Sequence, residues 1–322
     1  MRNACGTFLA VLLTLLLSLP AEAQTGAQQA IEPWPEGAWA QNRPSLQLWD
    51  THTTGVDEGV KLQLFETSSR YRLDPDDDRS PMLGYDAFIM RLRSDDPVLP
   101  PRLVDVSLGT TFMLRDEPDW SIALPLGVGF AGTQPFSDSR AWYGRASILS
   151  FHRLDERSQL MLGLDYHGNR TIFPDIPLPG VAYIRQFSDE LTLTLGVPYS
   201  NVRWQPDDRW NISVSYSPTI DVNVDVDVQY QLTEAWSLFG AFENQRRAFH
   251  RKDDDRHRRL FFQQRRAEAG IRWQAFENVE LLAAGGYTFS GKLERGFDTR
   301  DTDTLRRFGD SPYFRLGLST AF

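Results

Sequence analysis

The sequence is poor in the residues that build disulfides, thiolate active sites and membrane-spanning helices. Its only cysteine, Cys5, lies near the N-terminus, so the rest of the chain has no disulfide and no cysteine-based metal site. No stretch after Leu19 approaches about 18 consecutive apolar residues, so no transmembrane helix is predicted there. Basic residues number 34 against 43 acidic ones, for a net charge of -9, and this balance argues against a nucleic-acid partner.

Histidine motifs are lacking as well. None of the histidines has the His-x-His or His-Glu-x-x-His spacing that binds metal, and no acidic run has the calcium-loop pattern. We therefore predict no metal site and no cofactor. The histidines are His52, His152, His167, His250 and His257.

Residues 1–23 have the features of a secretory signal peptide. Arg2 gives a positive start, Phe8–Leu19 form a mostly apolar run, and Ala21-Glu22-Ala23 is a small-x-small cleavage site. The segment is therefore predicted to be removed on export. Residues 24–58, rich in Gln, Ala and Pro at their start, are expected to form a flexible periplasmic lead-in.

Period-two alternation of apolar and polar residues dominates the remainder of the chain. In the clearest example, Ile220–Leu232, one face is Ile, Val, Tyr and Leu and the other is Asp, Asn and Gln. Such a strand is longer than most strands of soluble sheets and fits a tilted membrane crossing. Because no helix of useful length is indicated, a chain of this kind spans a membrane only as a closed barrel. The fold predicted for residues 59–322 is all-β, a single antiparallel transmembrane barrel.

Turn lengths predict the strand number. Thirteen candidate strands follow residue 84, and short turns alternate with long loops such as 246–264 and 291–312, as in barrels with long external loops. The alternation changes phase between Gly180 and Ser217. Either Leu191–Trp204, which Pro198 interrupts, causes the change, or Gly180–Phe187 is not a spanning strand. An even number of about 12 strands is expected, or about 14 if residues 45–73 add two strands to the wall.

The last ten residues, Tyr313–Phe322, alternate as a strand that ends on an aromatic residue. This strand resembles the closing strand of bacterial outer-membrane barrels, and the resemblance implies that it is also read by the barrel-assembly machinery. We therefore expect the protein in the bacterial cell outer membrane, in contact with outer-membrane lipid and lipopolysaccharide. The predicted assembly signal consists of Phe314, Leu316, Leu318 and Phe322.

Four further segments carry a second resemblance, and they are Gly144–Phe151, Leu178–Ile184, Gly196–Pro198 and Val202–Pro206. Over about residues 142–322 the chain resembles an uncharacterised family of Gram-negative outer-membrane barrels, a domain of unknown function. The resemblance implies the barrel fold. It brings no activity and no catalytic residue.

The polar face of the strand at 220–232 carries a row of carboxylates that must face the lumen if the apolar face meets lipid. Rows of carboxylates line cation-preferring pores. Three arginines on other strands are predicted to face the lumen too, and they would fill a narrow one by pairing with carboxylates. The predicted pore-lining residues are Asp221, Asn223, Asp225, Asp227, Arg145, Arg203 and Arg315.

Three functions are open to such a barrel, because fold alone does not fix function. The first is a passive porin-like channel or small-solute transporter with an acidic lumen. The second is a non-conducting structural or surface barrel that presents its long loops to lipopolysaccharide or a partner. The third is a lipid hydrolase, with Ser150 and His152 on one strand face as the nearest approach to a catalytic pair. No orienting acid or oxyanion element accompanies them, so no enzymatic activity is predicted.

Overall fold

A computed structural model describes residues 38–54, 58–77, 79–217, 223–252, 254–255 and 257–322. The predicted signal peptide, residues 1–23, lies outside the described residues. The described chain is mostly β-strand, with a short 3-10 helix at Ser139–Ala141. Within these ranges, no helix is long and apolar enough to cross a membrane.

In the part of the chain that the structure describes, seventeen strands form one antiparallel sheet. The first eight are β1 (Ala40–Thr54), β2 (Glu58–Arg72), β3 (Met82–Arg93), β4 (Arg102–Glu117), β5 (Trp120–Gly132), β6 (Trp142–Asp155), β7 (Ser158–His167) and β8 (Leu178–Gln186). The others are β9 (Leu191–Val197), β10 (Ser200–Trp204), β11 (Trp210–Ser217), β12 (Asn223–Gln231), β13 (Trp236–Phe249), β14 (Arg259–Phe276), β15 (Val279–Gly296), β16 (Thr302–Phe308) and β17 (Ser311–Ala321). From β1 to β15 each strand pairs with the next, and β17 pairs with β1, so the sheet is a closed barrel.

Two of the strands, β16 and β17, share one place in the wall. β16 pairs with β15 at Lys292–Gly296, and β17 pairs with the same strand at Val279–Thr288. Between them, the backbone N–H of Gly309 donates to the carbonyl oxygen of His52 in β1 at 2.7 Å. The seventeen strands therefore occupy 16 wall positions, with β16 as an extra segment in line with β17.

The expectation of about 12 or 14 strands is wrong. Residues 45–73 do contribute two wall strands, β1 and β2. In addition, Leu191–Trp204 contains two strands, β9 and β10, which meet at a turn after the cis peptide Val197–Pro198. β9 was already among the thirteen candidates, and adding β1, β2 and β10 to them gives 16. The phase change between Gly180 and Ser217 has its cause at this hairpin, which is too short for alternation to reveal two strands.

Two predicted boundaries also need correction. Ala40–Thr54, assigned to the flexible lead-in, is strand β1 and pairs along its length with β2. The predicted external loops 246–264 and 291–312 are mostly strand, because β13, β14 and β15 continue into them and β16 lies within the second. Among the described residues, the connections that remain lie within 250–258, 297–301 and 309–310. Amphipathic alternation fades in these extensions, which is why the sequence pattern ended too early.

Strand lengths divide the barrel into two halves. The long-strand half comprises β13–β17 and β1–β6, whose complete wall strands have between 12 and 18 residues. The short-strand half comprises β7–β12, with between 5 and 10 residues each. Ala40 and Ala321 lie at one end, which we call the terminal end, and we call the opposite end the far end.

The outer surface of the wall is apolar. Outward-facing Leu108 is 60% exposed, Leu195 is 54% exposed and Phe314 is 49% exposed. Together with Leu316, Leu318 and Phe322, Phe314 lies on the outer face of β17 and its end, as the alternation predicts. Such a belt of exposed apolar side chains around a closed sheet is the surface that contacts lipid in membrane barrels.

Two tyrosines brace the inside of the wall in the same way. The ring of Tyr143 lies over Gly129 on the neighbouring strand, and the ring of Tyr313 lies over Gly286. In both pairs a Cβ on the glycine would clash with the ring, so only glycine permits this close approach. The tyrosines are thereby held flat against the wall with their hydroxyls directed at lumen carboxylates.

Candidate functional site: the lumen of the barrel

Opposite walls of the barrel touch at the far end. Gly132, the last residue of β5, and His250, just after β13, form a parallel bridge although these strands are eight positions apart in the ring. The His250 N–H donates to the Ala131 oxygen at 2.9 Å, and the Thr133 N–H donates to the His250 oxygen at 3.0 Å. The cross-section is therefore pinched between the two bonded strands.

On the long-strand side of this pinch, the far end of the lumen is a packed apolar core. Phe88 of β3 and Phe249 of β13 are fully buried, with ring centroids 5.8 Å apart. Side chains from β2, β14 and β15 complete the cluster. They include Val60, Leu62, Leu64, Leu260, Phe262 and Leu293. Water and solutes are excluded from this part of the lumen because its side chains interdigitate as in a protein interior.

A layer of charged side chains lies on the terminal-end side of this apolar core. Glu66 of β2 is approached by Arg247 at 3.7 Å and by Arg266 at 3.3 Å, so β2 is joined to β13 and β14, which lie five and four positions away in the ring. Gln245 donates to the Glu66 carboxylate at 3.0 Å. Arg266 also pairs with Glu243, its neighbour on β13. These buried charges compensate one another, which is the condition under which charges persist away from water.

Two more pairs extend the charged layer. Arg247 lies 3.5 Å from Asp105, which also accepts a hydrogen bond from Tyr143 at 2.7 Å. Tyr313 donates to Glu268 at 2.7 Å, and Arg315 pairs with the same carboxylate. The long-strand half of the lumen is therefore filled by core and ion pairs.

Loops from around the rim cover the far end. Asn169, in the β7–β8 loop, donates to the Ala248 oxygen at 2.9 Å, and Arg259 donates to Asn169 at 3.1 Å. Arg306 holds Asp96 of the β3–β4 loop at 2.5 Å, and its hydrogen bond lowers the pKa of that carboxyl group. Because the bonded groups come from different parts of the ring, these loops form one connected cap.

The short-strand half has a different inner face. Most inward residues of β7–β9 stay partly exposed, and polar groups of β10 and β11 bond to each other. Asn201, for example, donates to Ser213 at 3.2 Å and to Ser215 at 3.1 Å. Small or uncharged polar side chains are common on this face, and they include Gly163, Gly180, Thr192, Thr194, Gly196, Ser213, Ser215 and Gln229. The larger apolar side chains of Met161, Leu178 and Ile184 lie on the same face.

The predicted pore-lining residues lie on several parts of this lumen. Asp225 and Asp227 face inward and are 7% and 6% exposed, and Arg272 binds Asp227 at 3.3 Å. Arg145 donates to Ser107 at 3.3 Å, and Arg315 pairs with Glu268 as described above. Arg203 is buried on β10 opposite Ser213. Asn223 lies in β12 opposite Ser217, and Asp221 lies outside the described residues.

The structure does not unite these seven residues in one cluster. Asp225 lies directly across from Glu243 on the neighbouring strand. Glu243 is bound by Arg266, which was not one of the seven predicted pore-lining residues. The missed residues, Glu66, Glu243, Glu268, Arg247 and Arg266, carry most of the crossing contacts. The alternation of Ala267, Ala269, Ile271 and Trp273 on β14 would have placed Arg266 and Glu268 inward.

Ser150 and His152 lie on the outer face of β6 and form a hydrogen bond of 3.0 Å between Oγ and Nε2. Trp120 donates to the same Ser150 oxygen at 2.8 Å and stacks on His152. Among the described residues no carboxylate bonds to His152, so the pair has no orienting acid. Nor does any group of three or more metal-binding side chains occur in these parts of the chain.

The fold and its two faces define a class: a closed antiparallel barrel with an apolar outer belt and a polar, partly filled interior, the architecture of a membrane-spanning β-barrel. Residues 178–321 match a family described as "Domain of unknown function (DUF6268)". The resemblance to a barrel family of unknown function is thereby confirmed over these residues. No curated protein matches the chain.

Solved structures with a similar shape include a Pseudomonas aeruginosa FadL homologue. It has 13% sequence identity and a TM-score of 0.43, and the match covers 92% of this chain and 93% of that chain. The Pseudomonas putida toluene transporter TodX has 8% identity and a TM-score of 0.41, with 92% of each chain covered. At these TM-scores neither similarity carries an argument about function.

Proposed function

We propose that the protein is a bacterial outer-membrane channel for small polar solutes, with its route along the short-strand half of the lumen. One observation carries this proposal: core and ion pairs fill the long-strand half, whereas most inward side chains of β7–β9 are only partly buried. Trp39, near the start of the described residues, and Phe322 lie at one end, which we take as periplasmic because barrels of this kind have periplasmic termini.

A narrow route of this kind should be blocked by one large side chain. Thr194→Trp places an indole on the inner face of β9, whereas Leu195→Trp places it on the exposed outer face of the same strand. Planar-bilayer conductance and liposome swelling with small sugars should fall strongly for Thr194→Trp and stay near the wild-type value for Leu195→Trp. Equal permeability of the two variants would contradict the route.

The sequence predicts an acidic lumen, and an acidic lumen would prefer cations to anions. Asp225 and Asp227 give β12 two inward carboxylates, of which Asp227 is partly neutralised by Arg272. Asp225→Asn and Asp227→Asn should lower the permeability ratio of K⁺ to Cl⁻ in bilayer reversal-potential measurements. An unchanged ratio would remove these residues from the solute route.

A second candidate is a non-conducting structural barrel. The bonds between β5 and His250, together with the loop cap, favour it because they close the far end. A folded wild-type protein that is silent in bilayers and supports no liposome swelling would select this function over the channel. The Ser150–His152 hydrogen bond supports only a weaker third candidate, a lipid hydrolase, which a phospholipid-hydrolysis assay with Ser150→Ala as control would test.

A further inference from the structure

We infer that the outer face of the long-strand half binds the phosphate groups of a glycolipid, the lipid anchor of lipopolysaccharide, in the external leaflet. The binding surface, which we call the basic girdle, consists of Lys61, Arg91, Arg93, Arg102, Lys292 and Arg307. The inference rests on the membrane placement in the proposed function and is independent of whether the barrel conducts.

The basic girdle lies at the far-end edge of the apolar belt. On β3 the outward residues from Leu83 to Ile89 are uncharged, and Arg91 and Arg93 are the next two. On β4 the outward residues Leu108, Val106 and Val104 are followed by Arg102. Because headgroup phosphates border the hydrocarbon layer, these cations are at the level at which phosphates lie in the leaflet.

Cations of the girdle face each other across neighbouring strands. Lys61 is directly opposite Arg93, Arg91 is opposite Arg102, and Lys292 is opposite Arg307. Side chains at such positions have Cβ atoms about 4.5–5.5 Å apart, so like charges there destabilise the sheet. Two of these pairs, Lys61 with Arg93 and Arg91 with Arg102, lie next to each other on one surface, which indicates that an anion from outside the chain neutralises them.

Carboxylates of the chain do not neutralise most of the girdle. Glu294 binds Lys292 at 2.7 Å. Asp50 lies opposite Lys61 on the outer face, but the two form no ion pair. Within the described residues, no ion pair is formed by Lys61, Arg91, Arg93 or Arg102 either. Arginine binds phosphate through two parallel hydrogen bonds, so a phosphate between Arg91 and Arg102 would satisfy both guanidinium groups.

The position of the girdle favours a lipid over a soluble anion. Its residues lie on strands continuous with the lipid-facing belt, so a molecule that binds them also borders the apolar surface. In the short-strand half, the outward residues near the far end of β7, β9 and β11 are Tyr166, Val197 and Tyr216. The surface is therefore confined to one side of the barrel, as expected for ordered lipid rather than a general charge at the rim.

The test uses the full-length protein folded in phosphatidylcholine vesicles and titrated with fluorescent lipid A. The variant Arg91→Gln/Arg93→Gln/Arg102→Gln should bind lipid A at least tenfold more weakly than the wild type. The control variant Arg157→Gln/Arg185→Gln/Arg209→Gln removes three exposed cations at the terminal end and should bind as the wild type does. Heat-modifiable gel mobility verifies that each barrel is folded.

Two further measurements keep the inference testable if the triple variant does not fold. Wild-type binding to lipid A should weaken as NaCl rises, because exposed charges are screened by salt. Dephosphorylated lipid A and phosphatidylglycerol should each bind at least tenfold more weakly than lipid A. Equal affinity for lipid A and either of these lipids, or an equal loss of binding in both triple variants, would overturn the inference.

Discussion

The long-strand and short-strand halves differ in how their inward side chains fill the lumen. A wall of 16 positions encloses more space than its own small side chains fill. The long-strand half fills that space with an apolar core and crossing ion pairs, whereas most inward side chains of β7–β9 in the short-strand half stay partly exposed. In the proposed channel, rigidity and permeability belong to different sectors of one sheet, and each can be tested by changing one sector at a time.

The largest effect is expected where a crossing charge is removed. Arg266→Met leaves Glu66 and Glu243 buried without their shared partner, which should cost about 3–5 kcal/mol of unfolding free energy. Urea unfolding in vesicles measures it. The triple variant Arg266→Met/Glu66→Gln/Glu243→Gln should recover most of the loss because no uncompensated charge remains. Failure to recover would mean that packing, rather than charge, dominates this layer.

The same apolar truncation in the two halves compares their packing. Leu62→Ala, in the core of the long-strand half, should cost about 2–5 kcal/mol because it leaves a cavity among rigid neighbours. Leu178→Ala, inward on β8 but only partly buried, should cost clearly less in the same urea experiment. Equal costs would show that the short-strand half is packed as tightly as the other.

Acid should loosen the pinch between the halves. Burial lowers the pKa of His250 to about 4, and the positive charges of Arg259 and Arg140 lower it further. The carboxylates of Asp138 and Asp175 act in the opposite direction and raise this pKa. Since the unfolded value is about 6.5, the native state prefers neutral histidine, and its contribution to stability is full above pH 6.5. That contribution should be lost as pH falls from 6.5 to 4, on the order of 2–3 kcal/mol.

His250→Gln separates this effect from general acid sensitivity. The variant keeps a side chain of similar size without a titration, so its unfolding free energy should vary less between pH 6.5 and 4. The measurement is urea unfolding of both proteins across this pH range. Parallel pH dependences would assign the effect to other groups.

The smallest effect is expected for an exposed ion pair on the same strands. Arg115 and Glu117 pair at 2.5 Å near the terminal end, with side chains 35% and 58% exposed. Because water screens such pairs, Glu117→Gln should change the unfolding free energy by less than about 0.5 kcal/mol. A loss as large as that of Arg266→Met would break the distinction between pairs inside and outside the lumen.

Much of the wall was predictable because lipid-facing alternation leaves a direct record in the sequence. Phe314, Leu316 and Leu318 had to share one face, and the structure places them outward. Strand number was harder to predict. β10 has five residues, too few for period two to be distinguished from a turn, and β1 alternates poorly because Trp49 faces inward while Asp50 and His52 face outward.

The interior was less predictable than the wall. Alternation predicts that Asp225 faces the lumen, but it does not predict which residue of a distant strand contacts Asp225 there. The pair of Arg247 with Asp105 joins strands that are seven positions apart in the ring, and nothing local links them. Arg247 itself lay in a segment assigned to a loop. Contacts across a lumen depend on how a barrel is flattened, and that property belongs to the whole ring.

The seam between β1 and β17 sets the order in which the barrel can form. Asn42 and Thr320, bonded across this seam at 3.5 Å, are 278 positions apart, whereas consecutive strands elsewhere meet as local hairpins. Loop-closure entropy grows with chain length, and long-range pairing is slow, so hairpins should form first and the ring last. Until then β1 and β17 each present an unpaired edge, the surface at which misassociation begins. The kinetic weak point of this chain is therefore its first and last strands, far from the ion pairs that stabilise the finished barrel.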